Sequence, residues 1–360
     1  MIIKELKLQN FRNYSSAVFR PNKGISMLYG ANAQGKTNLL EAIYLFTAAK
    51  SFRTPRDAEM IQFDKEAAII KGEFEAFGRS VTAEIRLFTG KRKLLLYGGA
   101  PLLKTSELLG KFPAVVFSPD ELRLIGDAPE ARRRFMDSAI SAKKPMYYNA
   151  LYQYIRARKQ KNALLKKEAQ PESLSVWNEQ MATEGALLIQ YRQNFFTALS
   201  PVATEIHRSI APEETLEIRY VPAVQPGEDT EKTKEKLFEL LERKREAELY
   251  AGLSLVGPHR DDMQFYINGK PAREYASQGQ QRTATIALKA AQAALLEKEV
   301  NEPPLLLLDD VMGELDPNRR AFLAETMAGR QTIVTGTEKE IIPGLSQYFQ
   351  IEKGAICTFN

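Results

Sequence analysis

The chain has 360 residues, 44% hydrophobic and 26% charged, a globular composition that predicts about two domains, or one large domain with an insertion. One cysteine, Cys357, and two histidines, His207 and His259, exclude a disulfide framework and argue against a Cys- or His-rich metal centre. No apolar run reaches the roughly 18 residues of a membrane span, and the first residues, MIIKELKLQNFRNY, carry charges inside their apolar stretch, unlike a secretion signal, so no membrane association and a reducing, cytoplasmic location are expected.

Ile2, Ile3, Leu6, Leu8 and Phe11 alternate roughly and predict a strand. A second strand is expected over 17–19. A third, over 25–29, runs into a glycine loop. The segment 37–49 places Leu39, Leu40, Ile43 and Phe46 at helical spacing. Three runs between 66 and 99 are rich in strand formers and end in glycine, which predicts an antiparallel meander. A short apolar strand over 114–117 stops at Ser118-Pro119.

From about 130 the pattern is helical. Tyr147, Leu151, Tyr154 and Leu165 share one phase, with Arg158 and Lys161 on the same line. Leu174, Trp177, Met181, Leu188 and Phe195 form a narrow stripe, as on one seam of an antiparallel helix pair. Pro201 is expected to kink or end the second helix. A charged helical stretch ends near 249, and strand–helix alternation then returns.

The net charge of +5 is unevenly spread. Residues 131–170 carry eleven lysines and arginines against Asp137 and Glu168, a local balance of +9 that leaves −4 for the rest. Such a run is either a solvated helix face or a surface for a polyanion.

Gly30-Ala31-Asn32-Ala33-Gln34-Gly35-Lys36-Thr37 fits G-x-x-x-x-G-K-[ST] between a predicted strand and a predicted helix. Gly30 and Gly35 let the backbone approach phosphate oxygens, and the loop N–H groups with the helix start form an anion cradle. Lys36 is expected to neutralise the β and γ phosphates, and Thr37 to offer its hydroxyl to Mg²⁺.

Leu305 to Leu308 need burial on both faces, as in a central parallel strand, and Asp309-Asp310 follow at its carboxyl end, where ligands bind such sheets. Asp309 is expected to hold Mg²⁺ and Asp310 to act as general base toward water. Glu314 and Asp316, beside Pro317, suit either a helix cap or a contact across a nucleotide interface. Ser277, Gly279 and Gln280 open another helix, with Ala284, Ala287, Leu288, Ala291 and Leu295 in phase. This start is either an ordinary cap or a second anion site.

Together these motifs resemble an ABC-type ATPase head. More narrowly, the chain is similar to the RecF family of bacterial recombination proteins, which is related to SMC-like heads. The resemblance rests on Asn10 to Tyr14, the phosphate loop, and Phe117 to Asp120. It rests also on Pro129 to Asp137, Gly257-Pro258-His259-Arg260-Asp261-Asp262, the start at 276–280, and Leu308 to Asp316.

The resemblance implies an α/β fold: a P-loop ATPase head with an inserted β meander and an α-helical arm. The expected division is 1–125, with the meander at about 60–110, then an arm over 126–250, then 251–360 completing the head. It further implies ATP and Mg²⁺, an ATP-dependent homodimer, and a composite site in which one copy's loop meets Ser277 and Gly279 of the other. Slow, DNA-stimulated hydrolysis is implied, with action in recombinational repair and at replication forks on duplexes and single-strand/duplex junctions, alongside RecR, RecO and RecA.

Asp310 stands where such heads carry glutamate, and Thr335-Gly336-Thr337 where they carry a switch histidine; both predict weak turnover. Candidate DNA contacts are Arg132, Arg133, Arg134, Arg156, Arg158, Lys159 and Lys161; the run equally suits a solvated helix face, and Arg132 and Arg133 equally suit fold salt bridges. Arg12 is a candidate for nucleotide contact or strand-edge packing, and His259 for a satisfied structural histidine. The competing readings are another chromosome-maintenance ATPase, a small-molecule kinase and a transporter's nucleotide subunit.

Overall fold

The computed structural model describes residues 1–167 and 171–359, which divide into two units: Met1–Arg123 with Thr285–Asn360, and Leu124–Ala284. Glu168 of the basic run lies outside the described residues.

The first unit opens with β1 (Ile2–Phe11), β2 (Tyr14–Phe19), β3 (Ile25–Tyr29) and α1 (Lys36–Ala48). It continues through β4 (Ala67–Ala76), β5 (Arg79–Phe88), β6 (Leu94–Tyr97), β7 (Ala100–Pro101), β8 (Ala114–Phe117) and α2 (Pro119–Leu122). The second unit follows with α3 (Pro129–Ser141), α4 (Pro145–Leu165), α5 (Pro171–Ile210), β9 (Leu216–Val221), α6 (Thr230–Arg243) and α7 (Arg245–Ala251). Then come β10 (Asp262–Ile267), β11 (Lys270–Pro271), α8 (Ala272–Tyr275) and the start of α9 (Gln278–Val300). The chain completes the first unit with β12 (Leu305–Leu308), α10 (Pro317–Met327), β13 (Thr332–Gly336), β14 (Leu345–Glu352) and β15 (Ala355–Phe359).

One sheet of the first unit runs β15-β14-β3-β13-β12-β8. Every pair from β14 to β8 is parallel. Leu305 to Leu308 are fully buried because β12 is covered on both faces. Each such leucine contributes on the order of 1.5–3 kcal/mol relative to exposure. Parallel pairing brings the carboxyl ends of β3, β13 and β12 to one edge, with β13 in the middle.

The meander follows α1 in the chain and joins the strands that precede it. β4, β5 and β6 pair antiparallel as expected, but β4 also pairs with β1, giving a six-stranded sheet β2-β1-β4-β5-β6-β7. The apolar parity of β1 jumps between Ile3 and Leu6 because a bulge at Ile3/Glu5 shifts the register there. Ile3, Leu6, Leu8, Ile70, Phe74, Ile85 and Phe46 of α1 share one core, with Phe46 and Phe74 edge-on at 4.9 Å. A two-sided strand set with one apolar face has to cover that face, and α1 does so.

The arm extends to Ala284, beyond the expected 250, and contains the sheet β11-β10-β9. The strand–helix alternation after 250 therefore belongs at first to the arm, because β10 pairs with β9 along its whole length.

α4 and α5 pack together, burying Tyr147, Tyr154 and Leu165 against a seam of Leu174, Met181, Leu188 and Phe195; Trp177 is half-buried. Pro201 does not end α5, which runs on to Ile210. The carbonyl that loses its partner belongs to Thr197, on the exposed face where water can serve it, while Leu199 and Ala203 stay buried.

Candidate active site

β3 delivers the chain into the loop 30–35 at the carboxyl edge of the parallel sheet. Gly30, Ala33 and Gly35 have φ of 149°, 63° and 119°. A Cβ at Gly30 would lie 2.4 Å from the Ile351 carbonyl oxygen, so only glycine fits. The loop is braced from outside. Asn13 Nδ2 donates to the Gln34 carbonyl at 2.8 Å and Tyr14 Oη to the Gly35 carbonyl at 3.0 Å. From the β14–β15 turn, Lys353 N donates to Gln34 Oε1 at 2.7 Å and Gly354 N to the Gln34 carbonyl at 3.1 Å. Asn13 and Tyr14 are thus a clamp on the loop.

Lys36 opens α1 and is 4% exposed. Its Nζ donates to the Gly30 and Ala31 carbonyls at 2.6 and 3.0 Å, so the cation stays inside the loop. Ala31, Asn32 and Ala33 are exposed, which leaves this face of the cradle open.

Thr37 Oγ1 donates to Asp309 Oδ1 at 2.7 Å, joining the loop to the end of β12. Burial raises the Asp309 carboxyl above its ordinary range; the Thr37 hydroxyl opposes that shift and the neighbouring Asp310 charge adds to it. A hydroxyl and a buried carboxylate at this distance are the hard oxygen donors Mg²⁺ takes, the rest of its shell coming from phosphate and water. The donor set fits that ion.

Asp310 has φ of 51°, a left-handed position that aspartate and asparagine tolerate. Its N–H donates to Thr335 Oγ1 at 2.8 Å. The Thr335 hydroxyl lies 3.1 Å from both Asp309 Oδ1 and Asp310 Oδ1, and its single proton serves one of them at a time. Thr335 lies near the end of β13, between the loop and the aspartates. Nothing in its spacing in the sequence marks it as a spacer between carboxylates.

Arg53 carries no such mark either. Its Nη1 donates to Asn38 Oδ1 at 2.7 Å, and its charge favours ionised Asp309. A lone arginine 15 residues beyond an α1 side chain gives no spacing signal. Arg12 is structural: its guanidinium forks onto fully buried Glu41 at 2.8 and 2.7 Å and reaches the Glu59 carbonyl at 2.6 Å.

At the start of α9, Ser277 Oγ accepts from Gln280 N at 3.2 Å and Gln280 Oε1 accepts from Ser277 N at 2.9 Å, a reciprocal capping box. Ser277 is exposed; Gly279 and Gln280 are half-buried. Asp316 caps α10 by accepting from the N–H groups of Asn318 and Arg319.

Of the arm's candidate DNA contacts, Arg132 and Lys161 are buried, and half-buried Arg133 is also engaged within the arm. The Arg132 side chain is 4% exposed and forks onto Asp262 at 2.7 and 2.8 Å. Arg133 donates to the Asp261 carbonyl at 2.8 Å and pairs with Glu130 at 3.0 Å. The Lys161 side chain is 1% exposed and pairs at 2.5 Å with buried Glu248. A charge run on an amphipathic helix contributes some members to internal ion pairs, and counting cannot say which. Arg134, Arg156 and Lys159 are exposed and Arg158 is half-buried.

The same network accounts for Gly257 to Asp262. Arg192 of α5, 2% exposed, donates to Asp261 Oδ2 at 2.7 Å, the Pro258 carbonyl at 2.6 Å, Asp137 Oδ1 at 2.8 Å and Tyr147 Oη at 3.0 Å. His259 Nδ1 lies 2.6 Å from Tyr154 Oη, and Nε2 lies 3.1 Å from the Ser254 carbonyl.

Burial first, then the Arg158 charge, push the His259 imidazole down to about 3 from its ordinary 6.5. The folded histidine is therefore neutral while the unfolded one takes up a proton below 6.5. Its contribution is whole above pH 6.5 and is lost as pH falls toward 3. We expect His259→Gln to flatten the acid side of the arm's melting temperature against pH; an unchanged slope in that variant refutes this.

A phosphate loop, a hydroxyl–carboxylate pair and a parallel sheet with a serine-capped helix define an ABC-type ATPase head. The chain belongs to the RecF family: residues 2–356 match the RecF/RecN/SMC N terminal domain. It is 42% identical over 364 residues, 99% of this chain and all of the relative, to the DNA replication and repair protein RecF of Alkaliphilus oremlandii. It is 39% identical over 367 residues, 99% of this chain and 98% of the relative, to that of Symbiobacterium thermophilum.

A solved structure of the recombination mediator protein RecF-ATPrS in the RecFOR pathway matches with a TM-score of 0.94 at 34% identity, covering 100% of this chain and 98% of that one. An Smc head bound to the C-winged helix domain of ScpA shares the fold, with a TM-score of 0.57 at 15% identity over 100% of this chain and 98% of that one. Among the described residues, no helix is long and apolar enough to cross a membrane.

Proposed function

We propose that this chain is an ATP-dependent DNA-binding protein of recombinational repair and replication-fork maintenance, in which ATP closes two copies into a dimer that grips DNA. The observation that carries this is the 2.7 Å bond from Thr37 to Asp309, which joins the two halves of a nucleotide site. The RecF-ATPrS and RecF-ATP structures, at TM-scores of 0.94 and 0.92, support ATP as the nucleotide.

Lys36 and the loop N–H groups hold the phosphates. Thr37 and Asp309 would hold Mg²⁺, which supplies Lewis-acid charge to the terminal phosphate. Asp310 takes a proton from the attacking water. The new bond to phosphorus forms as the bond to the leaving oxygen breaks, giving ADP and phosphate. Ser277 at an exposed helix start faces a second copy's nucleotide, with Gly279 and Gln280 beside it. Turnover is slow and rises with DNA. The likeness to RecF of the RecFOR pathway supports RecO and RecR as partners, with RecA as the protein they load.

Duplex and junction phosphates meet the exposed face of α4. Arg156, Lys159 and Lys166 lie three and seven residues apart, so they form one stripe, all exposed. No base-reading motif accompanies them, so contacts are to the backbone.

The test is sedimentation with Mg-ATP, ADP or no nucleotide, and duplex binding across salt. A dimer with ATP alone is expected. Reversing Arg156, Lys159 and Lys166 to glutamate should flatten the slope of log K against log salt by about 0.9 for each phosphate no longer neutralised. A protein that stays monomeric with ATP and duplex refutes the proposal, and an unchanged slope moves the DNA surface elsewhere. Ser277→Arg should bind ATP and remain monomeric.

A further inference from the structure

A cleft of about 500 Å³ opens within the second unit, between α3, α4, α5 and the segment 253–260. That is within the roughly 300–1,000 Å³ of ligand-binding clefts. Its two carboxylates are already engaged: Glu130 by Arg133, and Asp137 by Arg192 and Tyr147. Three more arginines line it, Arg134, Arg158 and Arg260, and their side chains make no ion pair or hydrogen bond with any described residue. The neutral His259 and Tyr154 form part of its wall and offer no countercharge.

Beside Asn162 and Ser254, the lining has an aliphatic side. Leu151, Ile155 and Leu253 all face the cleft, and Ile155 and Leu253 are 48% and 38% exposed. Unpaired guanidiniums prefer planar anions that accept two bonds at once. Aliphatic groups beside them are idle against a sugar–phosphate backbone, which is convex and presents no apolar side chains. Arginine and tyrosine beside apolar side chains in a concave, partly desolvated site suit a protein interface, where both residue types are enriched.

We propose that this cleft docks an acidic segment of a partner protein, with aspartate or glutamate carboxylates on Arg134, Arg158 and Arg260 and an aliphatic side chain between Leu151, Ile155 and Leu253. Arg134 and Arg158 thereby serve protein recognition, next to the DNA stripe of Arg156, Lys159 and Lys166 and separate from it. The cleft is complete within one copy, so docking needs no nucleotide.

The probe is a fluorescein-labelled, end-blocked heptapeptide of four aspartates interleaved with three leucines, added to the full chain without ATP and read by anisotropy. Binding is expected, weakened roughly tenfold by Arg158→Gln and again by Arg260→Gln, at unchanged melting temperature. Replacing the peptide's aspartates by asparagine, or its leucines by glycine, should weaken it comparably. The glutamate reversals at Arg156, Lys159 and Lys166 should lower duplex affinity and leave the peptide's affinity in place, so the two proposals fail separately.

No binding, binding indifferent to Arg158 and Arg260, or equal binding of the glycine peptide overturns the inference. Displacement of the peptide by duplex in the triple-reversal variant assigns the cleft to nucleic acid and also overturns it.

Discussion

Replacing Arg192 by methionine is expected to destabilise the second unit by about 3–5 kcal/mol, the usual cost of removing one partner from a buried ion pair. Asp261 is fully buried, and its Oδ2 accepts from both Arg192 and Tyr220, while Oδ1 accepts from the Ala223 N–H. Without the guanidinium, a buried carboxylate would face hydrogen bonds that cannot balance its charge, and the Pro258 carbonyl would lose its donor.

Arg192→Lys keeps the charge but cannot reach four acceptors in fixed directions, so it should fall between the two. Urea unfolding followed on the far-ultraviolet signal measures the loss. A change below about 1 kcal/mol in the methionine variant would mean that the network is not what holds α3, α5 and β10 together.

Asp310→Asn is expected to cut ATP hydrolysis by roughly 10²–10⁴-fold, the range for losing a general base. The substitution isolates the chemistry. Asparagine tolerates the left-handed φ of 51° as well as aspartate does, and the Asp310 N–H that donates to Thr335 belongs to the backbone. Alanine would add backbone strain and confuse the result.

ATP affinity should survive, because Lys36, Thr37 and Asp309 are untouched, and the ATP-closed dimer should persist longer than in the parent. Single-turnover hydrolysis beside equilibrium nucleotide binding separates the two effects. Hydrolysis at the parent rate would remove Asp310 as the base and leave Thr335 and Arg53 as the groups to examine.

The residues proposed to carry nucleotide chemistry were legible because their geometry is local. Gly30 to Thr37 must form one turn between one strand and one helix, and Asp309-Asp310 must follow a strand buried on both faces. Short-range backbone constraints, read from glycine, leucine and lysine at set spacings, specify such features almost completely. The family landmarks were legible as strings, yet their roles were not. Within Asn10 to Tyr14, Asn13 and Tyr14 clamp the phosphate loop, and Asp261 and Asp262 anchor the ion pairs of the arm.

The sequence by itself determined the phosphate loop, the carboxylates after the leucine strand, the meander strands and the helical arm. Tertiary structure alone decided which cations are spent inside the fold. Arg132, Arg133 and Lys161 are engaged by Asp262, the Asp261 carbonyl and Glu248, while Arg156 and Lys159 reach solvent. It also decided that β1 and β4 join two strand sets into one sheet, and that Thr335 stands between Asp309 and Asp310. The physical reason is common to all three. Partners separated by tens to hundreds of positions are chosen by how apolar faces pack, and only after that packing does burial decide whether a charge must be neutralised or can stay in water.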